Sequence, residues 1–170
     1  MDVSLAIASR REVRDYAETP IPEEVERRIL DAGRLAGSAQ NVQPWRFVVV
    51  ESAETRERLA ELVFVPGNIR GAQLVVAIAV AGKGPVSLDA GRCAQNMLLA
   101  AWDQGVGSSP NGMPDRDAVS ALLGLREGEH AAIVLSFGYP AKPRDPSARS
   151  AEEWSARAKR KALDELVERV

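Results

Sequence analysis

Three arginines stand within five residues in "SRREVRDY": Arg10, Arg11 and Arg14. Guanidinium groups so spaced can grip a phosphate through paired, charge-assisted hydrogen bonds. They can equally be a solvated helix end whose cations complement the helix dipole, with Glu12 and Asp15 as counter-charges, and on the residues alone that plainer reading is preferred. A second polar group lies in "SAQNVQPWRFVVV", where Asn41 and Gln43 precede a Pro-Trp pair and the apolar run from Phe47 to Val50. Each amide offers a donor and an acceptor, which suits the edge of a ring carrying alternating carbonyl and N–H groups. An Asx turn ahead of a strand accounts for Asn41 but not for Gln43 as well. The third group is "GVGSSPNGMP", where Gly107 and Gly112 let the backbone approach a ligand closely, or simply make an inter-element loop.

Other chemistry is limited by composition. With one histidine, His130, a His-based metal site or a Ser-His-Asp triad is improbable. With one cysteine, Cys93, neither an internal disulfide nor a Cys-rich zinc site can be built. Cys93 reads as a small core residue, His130 as structural or surface, and Trp102 and Trp154 as packing residues on helices. "GVGSSP" puts Pro110 where a dinucleotide fingerprint needs its third glycine, and "AVAGKGP" lacks the Ser or Thr that follows a phosphate-loop lysine. The net charge of −2 supplies no global field toward nucleic acid or membrane. The N-terminal apolar stretch is too short for a signal peptide and no run reaches the ~20 residues of a membrane span. The expected setting is the cytoplasm.

The elements that must position these residues follow from periodicity. Residues 2–9 read as a short helix with Asp2 as N-cap. "TPIPEEVERRILDAGRLAG" is a helix with Pro22 in its first turn, Gly37 to stop it, and Val25, Ile29, Ala32, Gly33 and Ala36 on one face. A strand over 46–51 and a helix near 53–64, capped by Ser52, come next. "FVPGNIRGA" reads as a loop, "QLVVAIAVA" as a buried strand, and residues 88–105 as a long central helix with Asp89 near its start. "VGSSPNGMP" reads as a loop, "DRDAVSALLG" as a helix and "HAAIVLSFGYP" as a third buried strand. The segment from 141 onward is polar and reads as an exposed helix or an arm lying on something else. Three strands buried on both sides predict an α/β, three-layer α/β/α arrangement, and so thin a sheet hints that a partner chain contributes.

Taken in order, "RREVRDY", "GSAQNVQPWRF", "LDAGRCAQNMLLAAWDQGVGS", "SSPNGM" and "SFGYP" resemble the elements of the FMN-dependent nitroreductase family. The resemblance runs from about Ser9 to Tyr139 and resumes weakly at "KRKALDELV". It implies a nitroreductase-like α+β fold with a mixed central sheet, completed by the partner's C-terminal arm in a homodimer. Residues 1–140 would then form the FMN-binding core and residues 141–170 the arm.

Carried over by position, Arg10, Arg11 and Arg14 would hold the FMN phosphate and the pyrimidine edge of its ring. Ser38, Gln40 and Asn41 would come from the other subunit, with Gln43 supporting them. Pro110, Asn111 and Gly112 would lie along the isoalloxazine, and Arg160, with Lys159, would reach the phosphate from the C-terminal side. NADH or NADPH would be the reductant, and nitroaromatics, quinones or similar electron-poor compounds the acceptors. A family member with other flavin chemistry, or a flavin- or deazaflavin-binding module without turnover, would share these residues. Three departures stand out: Glu12 where the family has Ser, Gly37 where it has proline, and a shortened segment at 62–73. A carboxylate beside a phosphate is repulsive, so Glu12 must turn outward or pair with an arginine. Asn68 is a further, weaker candidate for a flavin contact.

Overall fold

The protein is described here as a computed structural model covering residues 1–170. Its elements in order are α1 (Val3–Ser9), α2 (Glu23–Arg34), β1 (Trp45–Val49), α3 (Ala53–Glu61), α4 (Pro66–Arg70), β2 (Leu74–Ala81), α5 (Val86–Asp103), β3 (Gly107–Asn111), α6 (Arg116–Leu122), β4 (Glu129–Gly138) and α7 (Ala151–Arg157). Two compact units emerge: Arg11–Pro143, and Met1–Arg10 together with Arg144–Val170. The smaller unit thus joins α1 to the C-terminal segment.

In the larger unit the sheet order is β1-β2-β4-β3, with every neighbouring pair antiparallel. Parallel pairing occurs at the isolated Glu12–Ser108 bridge on the β3 side. The sheet has four strands instead of the expected three, because residues 107–111, read from sequence as a loop, form β3. Glycine, serines and proline carry no β signal, but Pro110 is tolerated in an edge strand, where a missing N–H need not break a ladder on both sides.

Alternation along β2 explains the layers. Leu74, Val76, Ile78 and Val80 join Ile29, Met97 and Phe137 in one core, between the sheet and the α2/α5 layer. Val75 and Ala77 face the other way, into a core with Leu59, Ile69 and Val119 from α3, α4 and α6. Each such large buried side chain contributes about 1.5–3 kcal/mol, so the two apolar faces of β2 fix the three-layer α/β/α order. β1 departs from the expected two-sided burial: all five of its residues are only half-buried, because it is an edge.

Local chemistry sets the helix ends. Asp2 and Ser52 accept from backbone N–H groups at the starts of α1 and α3, as expected. α2 starts after Pro22 and ends at Arg34, before Gly37. Residues 66–70, read from sequence as a loop because of Pro66 and Gly67, form α4. Pro66 stands in its first turn, where a missing N–H would be unpaired anyway, and Ile69 is fully buried. α5 begins two residues before the expected 88, and Gly105 follows it with a φ of 74°.

The smaller unit packs α1 against α7. Ser150 and Glu153 close a capping box, the Trp154 indole N–H donates to the Pro146 carbonyl at 2.8 Å, and the Arg149 guanidinium lies 4.9 Å from the Trp154 ring centre. Beyond it Leu163, Leu166, Val167 and Val170 are exposed. No helix of the chain is long and apolar enough to cross a membrane.

One ion pair ties the β1 edge to the start of β4 across β2. Arg46 Nε donates to Glu129 Oε1 at 2.8 Å, its Nη2 donates to Oε2, and the Arg126 N–H donates to the same carboxylate. The Arg46 hydrogen bond is the main cause that holds the Glu129 carboxyl down to about 2. A folded-state value below the unfolded one means stability that is present above the ordinary carboxylate range and lost as pH falls toward 2. Urea midpoints of wild type and Glu129→Gln should therefore differ at pH 6, with a gap that narrows as pH falls below about 4.5 and closes only near 2. A gap that is unchanged at pH 3 would show that the pair is not linked to folding.

Candidate functional site

The arginine segment is pinned to the β3 edge. The Val13 N–H donates to the Ser108 carbonyl at 3.1 Å and the Ala17 N–H to the Tyr139 carbonyl at 2.8 Å. Val13 is buried directly over Gly107, where any Cβ would lie 2.6 Å from its own. The Tyr16 hydroxyl reaches the Ser136 carbonyl and hydroxyl at 3.2 and 3.1 Å. With Val13 and Tyr16 fixed inward, the extended chain leaves Glu12 and Arg14 exposed and Arg11 half-buried. Glu12 therefore occupies an outer position on this segment. A short way along the same edge, Pro110 and Gly112 are exposed.

Asn111, between them, is different. Its side chain is turned into the interior, where Nδ2 donates to the Ser109 carbonyl (3.1 Å), the Val134 carbonyl (3.3 Å) and Ser136 Oγ (3.2 Å). Its Oδ1 accepts from Asn68 Nδ2 at 2.9 Å, and both asparagines are 3% exposed. The Asn111 and Asn68 amides thus join Ser136 and Tyr16 in one buried polar network behind the strand. What position 111 presents outward is backbone. The Gly112 carbonyl accepts from the Phe64 N–H at 3.1 Å, which draws the exposed Phe64 ring to this edge.

The amide group sits in the turn ahead of β1. Gln40, Asn41 and Gln43 all have positive φ, 51°, 56° and 53°. This left-handed region is uncommon for residues with a Cβ, and its clustering in an exposed turn marks stored strain of the kind found at ligand sites. The turn is held by the Gln43 N–H donating to Ser38 Oγ at 2.8 Å, and by Gln43 Nε2 donating to the Asn41 carbonyl at 3.3 Å. Gln43 therefore serves the turn itself. Gln40 and Asn41 remain exposed with side chains outward, and Ser38 is half-buried.

The two groups lie on opposite sides of the sheet, because β1 and β3 are its two edges. Three strand spacings of about 4.8 Å put them roughly 14 Å apart. Arg10, Lys159 and Arg160 belong to the smaller unit: Arg10 caps α1, Lys159 has a φ of 52° just after α7, and both Lys159 and Arg160 are exposed. Cys93 is not a nucleophile. It is fully buried on α5, its thiol donates to the Gly33 carbonyl at 3.3 Å, and burial pushes it up to about 12.

Sequence comparison places this geometry. The sequence profile of the nitroreductase family matches residues 7–84 and 67–139. The chain belongs to the nitroreductase family. Among nitroreductase relatives, an Archaeoglobus fulgidus protein assigned as an NADH dehydrogenase/NAD(P)H nitroreductase is 35% identical over 150 residues, spanning 82% of this chain and 86% of its own. An NADH dehydrogenase of Thermus thermophilus is 30% identical over 190 residues, covering 88% of this chain and 92% of its own. Of the solved nitroreductase structures, a Desulfovibrio desulfuricans protein in complex with FMN superposes with a TM-score of 0.81 at 27% identity, over 98% of this chain and 96% of that one.

The residue that sequence reasoning passed over is Asp89. It read as a charge near a helix start, yet it is 3% exposed and its Oδ2 accepts from the Ala39 N–H at 3.3 Å, at the head of the strained turn. The available signal was a carboxylate between Leu88 and Ala90, at the start of a helix whose neighbours Ala90 and Cys93 read as core. For Asn111, replacement by Ala should lower the unfolding free energy of the apoprotein by about 2–3 kcal/mol, since it leaves buried partners unsatisfied. Urea denaturation checks this, and unchanged stability would mean that the side chain is not held inward.

Proposed function

We propose that the protein is an FMN-dependent oxidoreductase that uses NADH or NADPH to reduce electron-poor acceptors such as nitroaromatics and quinones, with each FMN held between two copies of the chain. The observation that carries this reading is the placement of a cationic group and an amide group at opposite edges of one sheet, within a chain of the nitroreductase family. The donor set fits the cofactor. Arginines suit a phosphate and an electron-rich ring edge, while Ser38, Gln40 and Asn41 suit a pyrimidine edge of alternating carbonyls and N–H groups.

A distance of roughly 14 Å across the sheet favours two chains over one. In a homodimer the β3 edge of one copy, with Arg11, Arg14, Pro110 and Gly112, would face the turn at 38–43 of the second. Arg10, Lys159 and Arg160 would add cations at the phosphate. The β1 edge supports an arm as well. It flanks a cleft of about 690 Å³ whose apolar wall is Leu30, Trp45 and Phe47 and whose rim mixes Arg27, Arg28 and Arg34 with Glu24 and Asp31. The tail at 162–170 exposes Leu163, Leu166, Val167 and Val170, an apolar strip suited to that wall. Residues 144–170 would act as an arm laid on the partner's β1 edge, completing its sheet.

When bound between Arg11 and Arg14 of one copy and Ser38, Gln40 and Asn41 of the other, FMN would supply ping-pong redox chemistry between NAD(P)H and the acceptor. The chain's part is binding and electrostatics. Arg14 places positive charge where negative charge gathers as the ring is reduced. The network behind Asn111 keeps the 110–112 backbone rigid, so that the Gly112 N–H is held toward the ring. No side chain is required to shuttle a proton, in keeping with a single half-buried histidine, His130. Phe64 and α4 occupy the shortened segment beside Gly112 and would border the acceptor.

The freshly purified protein should be a yellow dimer whose colour is bleached by NADH or NADPH. Arg14→Ala and Asn41→Ala should each weaken FMN binding by roughly tenfold or more, the loss expected for one charge-assisted or buried hydrogen bond. Mixing and re-annealing the two variants should restore a minority of full-affinity sites, because each mixed dimer holds one intact site. No restoration would place both groups in one chain's site, and a colourless monomer indifferent to FMN would defeat the proposal. An FMN-loaded dimer that neither reductant bleaches would be a flavin-binding module without turnover.

A further inference from the structure

The geometry points to Asp89 as a positioning residue for the cofactor-facing turn at 38–43, a role that rests on the FMN reading above. Four observations converge on it. The turn carries three left-handed residues, Gln40, Asn41 and Gln43, none of them glycine. Such backbone persists only where its surroundings over-determine it. Most of the turn's own hydrogen bonds are internal: Gln43 N–H to Ser38 Oγ, Asn41 N–H to the Ser38 carbonyl and Val42 N–H to the Ala39 carbonyl. These bonds close the turn on itself but do not anchor it to the body of the molecule.

The anchor is the bond from the Ala39 N–H to Asp89 Oδ2, which reaches from the turn to the first helical turn of α5. α5 is the helix most deeply packed on the sheet, with Cys93, Met97 and Ala101 fully buried. A bond to Asp89 therefore refers the turn to the most rigid element available. A buried carboxylate is costly unless its oxygens are satisfied. Here Oδ2 takes the turn's N–H, while Arg92 Nη1 stands 3.8 Å from Oδ1. The Arg92 guanidinium also covers Gly37, occupying the place where a side chain at 37 would begin. Residues 37–39 are thus gripped from one side by consecutive turns of α5, and the strained residues that follow inherit their direction from that grip.

Asp89 touches no cofactor on this account. It acts through Ala39 on the orientation of Gln40 and Asn41, which face the ring. Two consequences separate this from a merely structural role. Because the turn meets the ring and not the phosphate, losing the anchor should weaken riboflavin and FMN by the same factor, whereas Arg160→Ala, on the phosphate side, should change their ratio. A conservative Asn, which keeps one acceptor oxygen, should recover most of the loss.

The experiment compares Asp89→Ala, Asp89→Asn and wild type by flavin-fluorescence quenching with FMN and with riboflavin, alongside the thermal midpoint of each apoprotein. Asp89→Ala should raise both dissociation constants by roughly tenfold, the scale of one hydrogen bond to a charged acceptor. Asp89→Asn should lie within about threefold of wild type, since a neutral acceptor retains part of the bond. In case Asp89→Ala does not fold, hydrogen exchange on the wild-type apoprotein gives an independent reading: the Ala39 amide should be protected despite its exposed surroundings. A folded Asp89→Ala protein with wild-type affinities, or an Ala39 amide exchanging at the free rate, overturns the inference. Wild-type protein that binds neither flavin overturns the functional reading first, so the two failures are distinguishable.

Discussion

The separation of the two edges of a four-stranded antiparallel sheet is the constraint from which the rest follows. β2 and β4 occupy the centre because their apolar residues alternate between two cores, and neither could be moved to an edge without exposing one of those faces. β1 and β3 are left outside. β1 is half-buried and β3 carries a proline and two serines, both compositions that an edge tolerates. Once the edges are assigned, the arginine segment bridged to Ser108 and the strained turn ahead of β1 are on opposite sides of the molecule. On the proposed reading, a ligand that needs both would be shared between two copies.

The two polar groups are built by different physics. On the β3 side rigidity comes from a buried polar network in which Asn111 uses its whole amide on internal partners, including Asn68 and Ser136. Such a network is favourable only when every member is satisfied, and then it fixes the backbone next to it. On the β1 side the backbone is strained rather than bonded into a ladder, and its geometry depends on contacts from α5. A helix dense in buried residues serves as the frame of reference for both faces.

Much of the fold was legible along the chain. The alternating apolar run of β2, the amphipathic face of α2 with Ile29 and Gly33, and the caps at Asp2 and Ser52 are local signals, and each element formed where its signal lay. β3 and α4 were not legible, for related reasons. Glycine, serine and proline in β3 have no intrinsic preference for a strand, and β4 holds them there by register: Gly107 opposite Gly138, Asn111 opposite Val134. In α4, Pro66 reads as a breaker unless it stands at the first position, and Ile69 is drawn into the core by its neighbours. In both segments tertiary pairing overrides local propensity.

The same division runs through the site. The residue types alone made His-based metal or triad chemistry improbable and left the amides suited to a ring edge, while the arginines read as a solvated helix end. They also carried the family resemblance, because ordered motifs survive in sequence. Only the folded chain decided that the Asn111 amide faces inward, that Gln43 closes its own turn, and that Asp89 is a buried anchor rather than a surface charge at a helix start. The reason is geometric. A residue's chemistry belongs to its side chain, whereas the direction in which it is offered is set by hydrogen bonds to residues distant in sequence, such as Asn68 to Asn111 and Ala39 to Asp89.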